Sequence, residues 1–209
     1  MQFMVDKAPI IINYGMGNIA SVQNMVRFIG GKARVSTSPG EVREANSLIL
    51  PGIGSFDAGM SALHETGMDA AILEAVTEHG TPLLGICLGM QLLMESSEEG
   101  NLPGLGLVPG KVKRFLVRDT GLRVPHMGWN EVQPVRSSML FDLSAEEHRF
   151  YFVHSYYVEC GDPGDIIGIT RYGHDFTSAF EHGRVLGVQF HPEKSHRFGM
   201  ALFKRFLEG

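Results

Sequence analysis

Cys87 stands between Gly85 and Gly89 in the stretch 81–95, TPLLGICLGMQLLME. A cysteine does chemistry as its thiolate, a strong nucleophile, and the surroundings decide whether that form is reached. The apolar run 82–86 predicts a buried strand, and Met90, Leu92, Leu93 and Met94 predict a helix beyond it. Strand, sharp turn and helix with the nucleophile at the apex is the nucleophile-elbow arrangement, here with sulfur. Small flanking residues let the backbone double back where a β-carbon would collide. A sulfur at a helix N-terminus also meets partial positive charge. On this stretch alone, a buried core cysteine is the plain alternative.

A second constellation lies near the other end of the chain. The run 185–190 is rich in β-forming residues and ends in His191-Pro192-Glu193. In extended chain, residues two apart point to one side, so His191 and Glu193 fall together. Pro192 is tolerated where a ladder ends. An imidazole oriented by a carboxylate is a base with its orienter, and with Cys87 the set is nucleophile, base and acid. A local surface pair is the alternative for His191 and Glu193 taken alone. Both features terminate strands of one chain, which favours the chemical reading.

These residues need a scaffold. Apolar or β-rich runs at 8–13, 33–36, 47–50 and 82–86 predict strands. Helical patterns at 18–28, 41–45 and 56–79 separate them, the last interrupted by Gly67. That alternation predicts a doubly wound, mostly parallel sheet with helices on both faces. The glycine-rich ends at 15–17, 52–54 and 85–89 should converge at the carboxyl ends of the strands. The second half reads as further strands at 110–115, 129–135, 149–160, 166–170, 177–180 and 185–190, a smaller antiparallel region. A closing amphipathic helix follows at 197–207. Lys111, Lys113, Arg114 and Arg118 read as a solvated strand face.

The chain of 209 residues, 44% hydrophobic, is expected to be a single domain over 1–209. A formal net charge of −5 argues against nucleic acid as the main partner. Two cysteines imply no disulfide framework and a cytoplasmic setting. No apolar run is long enough to cross a membrane, and the start MQFMVDKAPIII lacks a signal-peptide layout. No metal-ligand spacing occurs, so neither metal nor other cofactor is expected.

GICLGMQLL, with PGIG upstream and GVQFHPEKS near the C-terminus, resembles the class I glutamine amidotransferases. The segments YGMGN (14–18), VPHMGWNEV (124–132) and YFVHSYYV (151–158) narrow the resemblance to the glutaminase subunits of imidazole glycerol phosphate synthases. It runs over nearly the whole chain. It implies a flavodoxin-like α/β fold and hydrolysis of glutamine to glutamate and ammonia, with Cys87 as nucleophile, His191 as base and acid, and Glu193 as orienter. It further implies an oxyanion hole from the amides of Gly52, Ile53 and Leu88. Gln91, Glu99 and the backbone of His154, Ser155 and Tyr156 would hold the substrate glutamine. The partner would be a cyclase (synthase) subunit in a heterodimer, docked on a face bearing Asn13, Tyr14, Met16, Met127 and Trp129. Two departures stand out. Asn13 replaces the usual aspartate, and HPEKS continues as HRFGMALFKRF, as in paralogues that feed surface-sugar amidation. A stand-alone cysteine hydrolase or peptidase of the same fold, or a binding module without catalysis, accounts less well for Gln91 beside an intact Cys87, His191 and Glu193.

Overall fold

A computed structural model describes residues 8–116, 121–144 and 147–209. Arg118 and the N-terminal residues 1–7 lie outside these. The first half alternates β1 (Ile10–Ile12), α1 (Ile19–Phe28), β2 (Arg34–Ser36), α2 (Pro39–Arg43), β3 (Leu48–Gly52), α3 (Phe56–Thr66), α4 (Met68–Thr77), β4 (Leu83–Cys87) and α5 (Leu88–Leu92). The second half supplies β5 (Ser96–Ser97), β6 (Gly110–Arg114), β7 (His126–Glu131), β8 (Gln133–Pro134), β9 (Arg149–His154) and β10 (Tyr156–Cys160). Then come β11 (Ile166–Tyr172), β12 (His174–His182), β13 (Val185–Val188) and α6 (His196–Glu208).

Local chemistry explains several of these boundaries. Ser38 caps α2 by accepting from the Glu41 amide, with Pro39 at the first helical position. Gly67 is left-handed at φ 67°, and this splits the expected helical region 56–79 into α3 and α4. The helix after Cys87 is shorter than its composition suggests. The carbonyls of Leu92, Leu93 and Met94 accept bonds from the amides of Leu105, Val108 and Gly106, so the loop takes the acceptors a longer helix would need.

One large sheet runs β2-β1-β3-β4-β13-β12-β10-β6-β5, with β11 and β8 off this path. The strands from β2 to β13 are parallel, whereas β12, β10 and β6 continue the sheet antiparallel. The expected antiparallel region is therefore mostly an extension of the main sheet. Among the described residues only β7 and β9 form a separate two-stranded sheet. The run 149–160, expected as one strand, breaks at Ser155, so β9 pairs with β7 while β10 pairs with β6 and β12.

Side chains alternate across the parallel half. Ile10, Ile12, Leu48 and Leu50 pack with α3 and α4 residues such as Phe56, Leu63 and Ile72. Ile11, Ile49, Leu84 and Ile86 pack with Val22 and Val26 of α1 and with Leu202, Phe203 and Phe206 of α6. Strands buried on both faces read as continuous apolar runs because each alternate residue meets a helix layer. The carboxyl ends of β3, β4 and β13 then lie side by side.

Candidate active site

Cys87 closes β4 with φ 55° and ψ −110°, a conformation that side-chain-bearing residues rarely adopt. The strain is held by close packing. A β-carbon at Gly89 would strike the Leu50 carbonyl, and one at Gly85 would lie 2.8 Å from the Gly89 oxygen and the Met90 nitrogen. Cys87 is 7% exposed and lines a cavity of about 340 Å³ with Ile53, Gly54, Leu88, Gln91, Glu99, Val153, His154, Ser155, Tyr156 and His191. Its thiol donates to the Val153 carbonyl at 3.9 Å and accepts from Gln189 Nε2 at 3.8 Å.

His191 is carried here by the end of β13 and by a backbone pairing with Tyr151 of β9, whose carbonyl accepts the His191 amide at 2.8 Å. Ser195 strengthens that seam: its hydroxyl donates to the His191 carbonyl and accepts from the Tyr151 amide at 3.0 Å. His191 Nδ1 lies 2.8 Å from Glu193 Oε1. Glu193 reaches it from a single 3₁₀ turn, Pro192–Lys194, and not from the extended chain end that alternation suggested. Pro192, preset for that turn, is the reason. Burial disfavours charge on His191, but its interactions with Cys87 and Glu193 more than offset this and push its pKa up to about 10. Its Nε2 is buried without a hydrogen-bond partner among the described residues. A sulfur, a proton-holding imidazole and a carboxylate in this order can perform acyl transfer through a thioester.

The cavity wall carries the groups for a small zwitterion. Gln91 Nε2 donates to the Tyr156 carbonyl at 3.2 Å and to Gln189 Oε1 at 2.9 Å, leaving the Gln91 oxygen as its free polar atom. Glu99 Oε2 accepts from the Phe56 amide at 2.8 Å, so this carboxylate caps α3 as well as lining the cavity. His154 offers no free nitrogen: Nδ1 donates to the Tyr156 carbonyl at 2.7 Å and Nε2 meets His126 Nδ1 at 3.0 Å. Burial pushes the His154 pKa down to about 3 and the His126 pKa to about 4, keeping both rings neutral. Gly52 stands opposite Cys87 in the β3–β4 register, and Ile53 and Gly54 form the cavity rim.

The face expected to dock a partner is only partly assembled. Met127 and Trp129 point outward from β7, with Trp129 42% exposed and stacked on His196 at 5.6 Å between centroids. Asn13 and Met16 are half-buried, Asn13 Oδ1 accepting from the Gly15 amide at 3.2 Å. Tyr14 does not belong to that face. It is 2% exposed because it continues the Ile10, Ile12 alternation into the core. Its hydroxyl has no partner among the described residues, and burial with the nearby Cys87 raises its pKa. Cys160 is half-buried, and burial together with Asp165 pushes its thiol up to about 12, away from reactivity.

Gln189 and Ser195 escaped the sequence reading. The signal for Gln189 was present, since the alternation that joined His191 to Glu193 extends back to it. Ser195 gave none, because its role is to join two backbone segments. Among the described residues no group of histidine, cysteine, aspartate and glutamate could hold a metal ion, and no helix is long and apolar enough to cross a membrane.

Residues 10–208 match the sequence model of the class-I glutamine amidotransferases. Two similar proteins are imidazole glycerol phosphate synthase subunits HisH 2, from Methanococcus maripaludis and Pseudomonas aeruginosa. Each is 49% identical over 95% of this chain and 98% of its own length. The fold is similar to that of PurLQS from Thermotoga maritima, with a TM-score of 0.74 over 96% of this chain and 97% of that one at 18% identity.

Proposed function

The chain belongs to the class I glutamine amidotransferases and is a glutaminase-type enzyme, and from that premise we propose how its residues act. Cys87 attacks the side-chain carboxamide of glutamine. The carbon–nitrogen bond breaks as His191 gives its proton to the departing ammonia, leaving a γ-glutamyl thioester on the sulfur. His191 then takes a proton from water, which attacks the thioester carbonyl. The carbon–sulfur bond breaks, and glutamate leaves with the thiolate restored. Glu193 holds the imidazole in place throughout. The amides of Gly52, Ile53 and Leu88 receive the developing oxyanion, Gln91 and Glu99 accept from the substrate ammonium, and the 154–156 backbone flanks it. One observation carries this reading: the strained Cys87 and His191, itself held by Glu193 from behind, meet at one cavity that Gln91 and Glu99 also line.

The relatives are named as subunits of imidazole glycerol phosphate synthase. By that likeness we assign residues 1–209 as one glutaminase domain in the cytoplasm. It passes ammonia to a cyclase subunit in a heterodimer that makes imidazole glycerol phosphate for histidine synthesis. The test mixes the purified chain with that cyclase and its nucleotide substrate and follows glutamate release. Stimulated hydrolysis that Cys87→Ala abolishes, while added ammonium still drives the cyclase, supports the proposal. Hydrolysis that is indifferent to the cyclase removes the pathway assignment.

One observation favours a second acceptor. His196, where the tail departs from the expected pattern, stacks on Trp129 at the proposed docking face. A partner that amidates a surface sugar would meet that altered surface with the same glutaminase chemistry behind it. Stimulation by such an enzyme, and not by the cyclase, selects this reading.

A further inference from the structure

Gln189 is wholly buried, and a polar side chain without water must find its partners inside the protein. Its backbone is anchored by a bond from its amide to the Ser178 carbonyl at 2.9 Å. Its side chain divides between two others: Oε1 lies 2.9 Å from Gln91 Nε2, and Nε2 lies 3.8 Å from the Cys87 sulfur. The amide orientation follows from a group that can only accept. Gln91 reaches the Tyr156 carbonyl with the same terminal atom, so that atom is its nitrogen. Gln189 must then turn its oxygen to Gln91 and its nitrogen to the sulfur.

We propose that Gln189 is a positioning residue for the glutaminase step, its side-chain N–H holding the Cys87 sulfur for attack while its oxygen steadies Gln91. This rests on Cys87 being the nucleophile. The sulfur has two neighbours of opposite sense. The Val153 carbonyl suits the thiol, which can donate to it, and opposes the thiolate. The Gln189 N–H suits the thiolate, to which a donor bond is charge-assisted and stronger. His191 also faces the sulfur and favours the thiolate, and the Tyr14 hydroxyl lies close by. Removing the Gln189 donor leaves His191 to oppose the carbonyl by itself and shifts the balance toward the protonated sulfur.

Two substitutions separate the roles. Gln189→Glu keeps the size and the acceptor facing Gln91 but has no N–H for the sulfur. Gln189→Leu removes both contacts, and it serves where the glutamate variant does not fold. Each is compared with the native chain by its circular dichroism spectrum, by the pH profile of Cys87 alkylation with iodoacetamide, and by kcat and KM for glutamine. In a folded variant the alkylation profile should move to higher pH and kcat should fall roughly tenfold or more. KM should change little in Gln189→Glu. A native alkylation profile in a folded variant, or a rise in KM with kcat unchanged, overturns the proposal. A native chain whose Cys87 resists both iodoacetamide and a glutamine-analogue electrophile overturns the nucleophile assignment instead.

Discussion

Tyr14 places a buried hydroxyl, without a partner among the described residues, beside the elbow, 2.9 Å from where a Gly52 side chain would begin. An unsatisfied buried donor costs about 1–3 kcal/mol, so Tyr14→Phe should leave stability unchanged or raise it by about 1 kcal/mol in urea unfolding. A clear loss of stability would mean that the hydroxyl has a partner. Cys87→Ala removes one sulfur from a strained position and should leave the fold intact while abolishing glutamine turnover. A glutamine-analogue electrophile should modify Cys87 and spare Cys160, whose thiol is held protonated by burial and Asp165. Peptide mass spectrometry separates the two cysteines, and a modified Cys160 would contradict these roles. At this scale the sequence was readable wherever chemistry and spacing coincided, as at Cys87, His191 and Glu193. It misled at Tyr14, which the resemblance set on the docking face although the β1 alternation carries its ring inward.

The turn after β3 is the element most open to a change of state. Gly52 admits no side chain, with Leu88 Cβ and the Gly89 nitrogen 2.8 and 2.7 Å from an added β-carbon, so any substitution there damages the elbow itself. Gly54 is the better probe. Its φ of 110° requires glycine, while an added β-carbon would meet only the flexible end of Met16. If the Gly52–Ile53 peptide turns an N–H toward the oxyanion on partner binding, Gly54→Ala should reduce partner-stimulated turnover by roughly 10²-fold, the scale of one lost oxyanion donor. Basal turnover should change far less. Equal losses in both assays would make the turn a fixed part of the site. The parallel strands and their helices could be read from apolar periodicity because each alternate residue meets a helix layer. The break at Ser155 could not, since one serine between the strand formers FV and YYV is too weak a turn signal, and the change of sheet is imposed by pairing with β7 on one side and β6 on the other.

For the whole molecule, three histidines set opposing pH dependences. His126 and His154 have folded pKa values below their usual 6.5, so the unfolded chain binds more protons below pH 6.5 and stability falls as pH drops toward 4. The His191 pKa is raised, so its contribution is complete below pH 6.5 and declines as pH rises toward 10. A tenfold difference in proton affinity between folded and unfolded chain is worth about 1.4 kcal/mol, and urea midpoints should therefore peak near neutral pH and fall on both sides. A flat profile from pH 4 to 9 would exclude this balance. Trp129, half-exposed and stacked on His196, should anchor the partner, and Trp129→Ala should weaken the complex by about 2 kcal/mol in a titration. The central claim is that glutamine is cleaved through a covalent bond to Cys87. Acid-quenching the chain during turnover with its partner and weighing the Cys87 peptide tests it most directly. A γ-glutamyl group on Cys87, absent in Cys87→Ala, is the result expected. Continued glutamine hydrolysis by Cys87→Ala at the native rate would contradict it.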